Sequence, residues 1–374
     1  MQRFFVNNLK LHLTLFISLK LSLVMDTMTL YWIIFITLFF IVFFIDLYVT
    51  DHRKGEISVK TSLKWTAAWI SIALLFGASL FFFFPQNPET PGNTAHVMGM
   101  KFIAGYLTEY SLSVDNLFVF IMIFSMMAVA PHNQPKLLKM GIVLSIILRI
   151  LFILVGMELV ERFHWVIYIF GLILVWTAFK MAFQDSEDSV DPKTNFLYKA
   201  ASKIFPVDPD THSTHFFTKH DGTTFITMNL LVLLVIGSTD VLFAVDSIPA
   251  IIGVIKEGAS GVLTLSEENF LAITSNVFAV MGLISLFFAL KGIMGMFRFL
   301  KHGVSFILFF IGAKMLLGFF HPIAAFFASH SWLSLVVIIS TLTLSILLSI
   351  VISDKKEIEE LQEKVEDFKK GQQK

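Results

Sequence analysis

Two stretches of the sequence resemble each other and decide the fold: EYSLSVDNLFVF, residues 109–120, and DVLFAVDSIPAI, residues 240–251. Each begins with a carboxylic acid and reaches a second acid after five further residues, followed by Asn or Ser. Both stretches lie in strongly apolar surroundings. The candidate site therefore consists of the four acids and the polar residue after each second acid: Glu109, Asp115, Asn116, Asp240, Asp246 and Ser247.

The composition is that of a membrane protein. Hydrophobic residues make up 56% of the chain, including 42 Phe, against about 45–50% in soluble proteins. Apolar windows of about 20 residues, long enough to cross a bilayer, recur along the chain, and their continuity favours helices over a β-barrel. These windows lie near 29–49, 64–84, 99–128, 137–157, 164–183, 224–252, 270–290, 301–320 and 332–352. The sequence predicts an all-α polytopic membrane protein with about nine transmembrane helices.

Charge gives the predicted orientation. The formal net charge is zero, so the overall balance indicates no nucleic-acid partner. Lys and Arg concentrate in the loops after the first, third, fifth and seventh windows, which the positive-inside rule places in the cytoplasm together with the C-terminus. The chain has no cysteine, which excludes disulfides and thiolate metal sites.

The two quoted stretches indicate an internal repeat. Aligning them superposes Glu109 on Asp240 and Asp115 on Asp246. Each stretch begins a group of three windows, and because three is odd, the second group enters the membrane from the opposite face. This predicts two inverted three-helix repeats whose first helices run antiparallel.

The predicted segments follow from these boundaries. They are an N-terminal extension (1–28), two transmembrane helices (29–84), membrane repeat 1 (99–183), a cytoplasmic loop (184–223), membrane repeat 2 (224–320), a last transmembrane helix (332–352) and a cytoplasmic amphipathic tail (353–374). Residues 1–25 read as either a leader or an interfacial segment. The tail reads as a solvated helix or as a helix that pairs with a partner or a second copy.

The end of the cytoplasmic loop, HFFTKHDGTTFITM (residues 215–228), predicts a short β-hairpin, because Asp-Gly lies between apolar, β-branched segments. The alternative is a metal-sensing patch. It would use His212, His215 and His220 with Asp208 and Asp210.

Four acids inside a membrane need compensation. Each costs about 2.5–3.5 kcal/mol at a helix centre, about 10–14 kcal/mol together, which is comparable to a whole folding stability of about 5–15 kcal/mol. Arg149 and Lys314 are the only bases that these boundaries place well inside windows, so two negative charges remain and one divalent cation would neutralise them. Structural ion pairs that bind nothing, and a proton relay without metal, are the alternatives.

Helix geometry limits how the acids can meet. In each motif the second acid lies about 120° round the helix from the first, so Asp240 and Asp246 converge only if the helix unwinds. Pro249 supplies a cause for unwinding, because it cannot bond to the carbonyl of Val245. Carboxylate, amide, hydroxyl and carbonyl oxygens together suit Mg²⁺, Ca²⁺ or Mn²⁺.

The chain resembles the TerC family, named for tellurium resistance and including Alx-type members. The resemblance covers roughly residues 29–322 and rests on EYSLSVDN from Glu109, DVLFAVDSIPAI from Asp240 and TSNVFAVMGL from Thr274. It implies a multi-pass inner-membrane protein of metal homeostasis, most often a manganese exporter. The implied ion ligands are Glu109, Asp115, Asn116, Asp240, Asp246 and Ser247, with Arg149 at a matching basic position and Ile284 where many members carry arginine.

We therefore predict a transporter and not an enzyme, because the sequence has no nucleotide-binding loop or nucleophile motif. It would export Mn²⁺, with Ca²⁺ as an alternative ion, by alternating access at an acidic midplane site coupled to protons. It would need no cofactor, and its partners would be the bilayer and the transported cation. A membrane scaffold in the metal or tellurite stress response, acting through its cytoplasmic loop and tail, is the alternative.

Overall fold

The structure is a computed structural model. It describes residues 27–49, 59–85, 94–127, 129–130, 132–183, 195–208, 215–220, 223–257, 262–292, 299–330 and 332–351. The N-terminal residues 1–26 and the whole predicted tail, 353–374, thus lie outside the described residues.

Within these residues the chain is helical apart from one hairpin. The elements are α1 (Thr27–Val49), α2 (Val59–Phe83), α3 (Thr94–Met126), α4 (Gln134–Arg162), α5 (Val166–Phe183), α6 (Phe196–Ile204), β1 (Phe217–His220), β2 (Thr223–Ile226), α7 (Met228–Lys256), α8 (Leu265–Val280), α9 (Leu283–Gly292), α10 (Leu300–Leu317), α11 (His321–Ser329) and α12 (Trp332–Val351). Nine stretches of the described chain are long and apolar enough to cross a membrane. This confirms the predicted all-α polytopic fold.

The seventh span differs from the prediction of one continuous helix. It divides into α8 and α9 at Met281 and Gly282, and Gly282 has a φ of 83°. Residues other than glycine rarely adopt this backbone conformation. A Cβ at this position would also lie 2.5 Å from Cδ1 of Trp69, so both the backbone and the packing require glycine at the break.

Helix α7 also differs from the prediction. It runs from Met228 to Lys256 with Pro249 inside it, so the predicted unwinding beside this proline is wrong. The neighbouring turns keep their helical form, and Pro249 is itself buried. Asp240 and Asp246 therefore keep their separate directions on one helix.

The described chain forms two compact units, divided after Ile41 within α1. In the first unit, the rings of Trp32 and Phe35 pack edge to face, 5.9 Å between centroids. The second unit begins at Val42 and contains α2–α12.

Helices α3 and α7, which carry the two motifs, pack as antiparallel neighbours in the second unit. Lys101, near the start of α3, donates a hydrogen bond of 2.7 Å to the carbonyl of Val254, near the end of α7. Helix α4 packs against both α7 and α8, and α5 packs closely against α10. The inverted relation of the two halves stays a prediction.

The predicted β-hairpin is confirmed. Strands β1 and β2 pair antiparallel, with Thr218 opposite Phe225, and Asp208 accepts a hydrogen bond from the Thr218 hydroxyl. This bond gives Asp208 a structural role in the hairpin. The other residues of the alternative metal-sensing patch include Asp210 and His212, which lie outside the described residues.

The contact between α5 and α10 depends on two glycines. A Cβ at Gly312 would lie 2.8 Å from the carbonyl oxygen of Gly171, and a Cβ at Gly171 would lie 3.0 Å from the carbonyl oxygen of Gly312. Because the obstacle on each side is backbone, it cannot rotate away.

We expect Gly312→Ala to destabilise the folded protein by about 1–3 kcal/mol, the usual cost of overpacking. The matched control is Gly237→Ala, where the new Cβ would meet only a δ-methyl of Leu144, at 2.8 Å, and this side chain can change rotamer. Thermal unfolding in detergent measures both. Equal midpoints for the two variants would contradict the assigned role of the glycine crossing.

Candidate functional site

The centre of the second unit contains an arginine bound to one acid from each motif. Arg149, on α4, forms an ion pair with Glu109 of α3 through Nη1, and its Nη2 lies 3.5 Å from Oδ1 of Asp240 on α7. Three helices thus each contribute one charged side chain. The first acids of the two motifs, far apart in sequence, meet at this guanidinium.

These three groups are withdrawn from the surface of the protein. The exposed fractions are 1% for Arg149, 0% for Glu109 and 3% for Asp240. When all three are ionised, the cluster carries one net negative charge. Removing charges from water costs several kcal/mol each, which an ion pair offsets only when the remaining donors and acceptors are also satisfied.

The remaining polar atoms of the cluster are not satisfied. Among the described residues, neither Oε2 of Glu109 nor Oδ2 of Asp240 has a hydrogen-bond partner, and Nε of Arg149 has none. Buried polar atoms are normally paired. A group of unpaired acceptors around a net negative charge is the pattern expected for a site that binds a ligand.

The motif residues that share the faces of these acids are buried and unpaired as well. Among the described residues, no hydrogen-bond partner is found for Oγ of Ser113, Nδ2 of Asn116 or Oγ of Ser247. Ser113 and Asn116 follow Glu109 by one and two turns, and Ser247 follows Asp240 by two turns. Because α3 and α7 are antiparallel, these polar groups extend from the acids toward opposite ends of the bundle.

The second acid of the motif on α7 has a different position from the first. Asp246 is only partly buried, and its Oδ1 accepts a hydrogen bond of 2.6 Å from Thr177 on α5. The physical reason is the intact α7, which directs Asp246 away from Asp240. Asp115 lies on α3, but its side chain is outside the described residues.

The described acids of the two motifs do not form a group of metal ligands in this conformation. In the described part of the chain, no group of three or more His, Cys, Asp or Glu side chains could hold a metal ion. Two acids held apart by a guanidinium account for this result at the centre of the bundle. Metal binding by these residues stays a prediction.

Lys314 pairs with an acid outside the motifs, so the sequence-based charge count needs correction. It forms an ion pair with Glu257, the residue directly after α7, and donates a hydrogen bond of 2.5 Å to Ser334 on α12. Lys101 lies 3.8 Å from the same carboxylate. Since Lys314 does not offset a motif acid, the count that left two negative charges no longer holds.

A second group of charges lies beside this one. Lys256, adjacent to Glu257 in sequence, contacts Glu161 at the end of α4 at 2.8 Å and Glu268 at the start of α8 at 3.0 Å. These contacts show that α4 and α7 end, and α8 begins, at the same end of the bundle. We call it the Glu257 end.

Sequence reasoning missed the importance of Lys101 and Glu257. The position of Lys101, eight residues before Glu109 on a predicted helix, was the available signal for a buried base. Glu257 lay just beyond a predicted span and read as a loop residue. Nothing in the spacing indicated that Lys101 and Lys314 would share it.

Comparison with known proteins identifies the family. Residues 94–357 match the integral membrane protein TerC family, which is well over half of the chain. The chain belongs to the TerC family. The resemblance inferred from the motifs is thereby confirmed, and the protein is a multi-pass integral membrane protein.

Relatives within the TerC family come from distant organisms. An uncharacterized membrane protein of Myxococcus xanthus is 38% identical over 71% of this chain and 76% of its own. The Alx protein of Photorhabdus laumondii, named as a proposed membrane-bound redox modulator, is 37% identical over 74% of this chain and 82% of its own. The thylakoid membrane protein TERC of Arabidopsis thaliana is 36% identical over 71% of this chain and 63% of its own. No solved structure matches this chain.

Proposed function

We propose that this TerC family protein transports a divalent metal cation, most favourably Mn²⁺, out of the cytoplasm by alternating access. The observation that carries the proposal is the buried cluster of Glu109, Asp240 and Arg149, with a net negative charge and acceptors that have no partner among the described residues. Ionisable groups inside a membrane protein usually mark an ion or proton pathway. A purely structural ion pair would instead be expected to have its remaining acceptors filled.

The chemistry of the cluster favours a hard cation. Carboxylate oxygens of Glu109 and Asp240, together with the amide of Asn116 and the hydroxyl of Ser247, are ligands of the type that Mn²⁺, Mg²⁺ and Ca²⁺ prefer. Asp115 and Asp246 remain proposed ligands on the strength of the motif alone. Asp246 would join the site when α7 moves relative to α5, because its present partner is Thr177.

Arg149 has a definite role in the proposed cycle. It forms ion pairs with Glu109 and Asp240 whenever no cation lies between them, and the arriving cation displaces it from at least one carboxylate. The two positive species thus compete for the same oxygens. This competition keeps the affinity low enough for release, which transport requires.

Export needs an energy source. Moving a divalent cation out against an inside-negative potential of 100 mV costs about 4.6 kcal/mol, at about 2.3 kcal/mol per charge. Carboxylates that release a cation can take up protons in its place. We therefore propose that inward proton movement through Glu109 and Asp240 drives export.

The decisive test is efflux from cells loaded with Mn²⁺. Glu109→Gln and Asp240→Asn should each lower the efflux rate by about tenfold or more, since residues that support a metal site cost about 10–100-fold when removed. The matched control is Glu158→Gln on α4, whose carboxylate is exposed and pairs only with the exposed Arg162. This variant should transport normally.

A deletion of residues 354–374 separates this proposal from a scaffold that acts through its tail. Transport predicts that the deletion leaves efflux unchanged. Normal efflux in both acid variants, with the phenotype lost in the deletion, would replace the transporter proposal with the scaffold.

A further inference from the structure

A fully buried amide on α8 has no hydrogen-bond partner in the part of the chain that the structure describes. Asn276 is 0% exposed, and neither its Oδ1 nor its Nδ2 has a hydrogen-bond partner among the described residues. Its two neighbours behave differently, because the hydroxyls of Thr274 and Ser275 donate to the carbonyls of Phe270 and Leu271 at 2.7 and 2.6 Å. An unpaired buried polar group destabilises a folded protein, so Asn276 calls for an explanation that Thr274 and Ser275 do not.

The packing of α8 fixes the direction of this side chain. Ser275 faces α3, since a Cβ at Gly105 would lie 2.8 Å from its Oγ. Phe278 packs on Phe76 of α2 and Phe102 of α3, with centroids 4.9 and 5.7 Å apart. At about 100° per residue, Phe278 lies about 60° to one side of Ser275 and Asn276 about 100° to the other. Asn276 therefore points away from α2 and toward α4 and α7, which both pack against α8.

Depth in the bundle places Asn276 between two other residues of the candidate site. The contacts of Lys256 align the ends of α4 and α7 with the start of α8. At 1.5 Å per residue from the Glu257 end, Asn276 lies about 16 Å deep, between Ser247 at about 14 Å and Arg149 at about 20 Å. Direction and depth agree that the amide faces the region of Ser247 and Arg149, while Asp240 lies deeper, at about 24 Å.

The end of α8 adds an independent observation. The helix stops at Val280, one turn beyond Asn276 and inside the seventh span. The last carbonyls of a helix lack intrahelical partners and carry partial negative charge. Interrupted helices with such ends line cation sites in transporters, and this end lies next to the unpaired amide.

We infer that Asn276 is a further residue of the cation site, contributed by α8. Its Oδ1 supplies a neutral oxygen ligand, and its Nδ2 donates to a carboxylate of the site. The inference rests on the proposed function, because it assigns the amide to the same transported cation. It also predicts that three motifs, on α3, α7 and α8, build one site.

The test uses the full chain in detergent, with Mn²⁺ as the probe and calorimetric titration as the binding measurement. Asn276→Leu keeps the branched shape of the side chain and removes both polar atoms. We expect its Mn²⁺ affinity to fall about tenfold, while its unfolding midpoint in EDTA stays equal to or above that of the wild type, because an unpaired amide has been removed. Asn276→Asp restores an oxygen ligand and should restore binding.

The matched control is Thr274→Val, whose lost hydroxyl bonds only to its own helix; its Mn²⁺ affinity should equal that of the wild type. If the wild type binds Mn²⁺ and Asn276→Leu binds it with the same affinity, the proposed role of Asn276 is overturned while the proposed function stands. A lowered unfolding midpoint of this variant in EDTA would then show that Asn276 has a structural role. A wild-type protein without saturable Mn²⁺ binding would overturn the proposed function and this inference together.

Discussion

Replacing Arg149 with leucine should destabilise the folded protein by about 3–5 kcal/mol, because it leaves Glu109 and Asp240 buried without their shared counter-charge. Losses of this size are a large part of a typical folding stability. We expect low abundance in the membrane and a strongly lowered unfolding midpoint in detergent. Transport should be lost even in the fraction that folds.

The matched control for this variant is Arg162→Leu on the same helix. Arg162 also pairs with a glutamate, Glu158, but this i,i+4 pair is exposed, and such pairs contribute about 0.3–0.5 kcal/mol. A triple variant that adds Glu109→Gln and Asp240→Asn to Arg149→Leu should recover much of the stability, since the central cluster then contains no buried charge. If Arg149→Leu were as stable as Arg162→Leu, the buried pairing would have no energetic importance.

Replacing Glu257 with leucine is the second large expected effect. It leaves the ammonium groups of Lys101 and Lys314 without their shared carboxylate, and the side chains of all three are less than 10% exposed. We expect a loss of about 3–5 kcal/mol, as for other broken buried pairs. Because Glu257 joins the ends of α3, α7 and α10, the Glu257 end should unfold first, which hydrogen exchange of these segments would detect.

Glu161→Leu is the control for this second variant. Glu161 pairs with Lys256, but its side chain is 48% exposed and Lys256 keeps its contact with Glu268. Its loss should cost less than about 1 kcal/mol. A similar loss in both variants would mean that burial does not decide the importance of these pairs.

The fold was largely predictable, because the bilayer restricts a chain so strongly. Apolar windows of the right length can only be helices when every backbone group must be satisfied internally, so nine spans followed from hydropathy. The structure differs from this prediction at two positions. Pro249 was expected to unwind α7 and did not, whereas Gly282 interrupts the seventh span with no proline nearby. Whether a helix bends or breaks depends on the neighbours that pack against it, here Trp69 at Gly282.

The candidate site was predictable only in part. Spacing on a helix showed that Glu109 shares a face with Asn116, because a helix has one fixed period. It could not show which base reaches which acid. Arg149 and Lys314 were equal candidates in the sequence, yet the first lies between the motif acids and the second lies beside Glu257.

By itself, the sequence determined the helical membrane fold, the family and the identity of the unusual acids, because hydrophobic length and local motifs are properties of contiguous residues. Tertiary structure alone decided that Arg149 joins Glu109 to Asp240, that Asp246 turns toward Thr177, and that Asn276 is buried without a hydrogen-bond partner among the described residues. The physical reason is that these contacts join helices far apart in the chain, and the rotation and depth of each helix are set by packing against its neighbours.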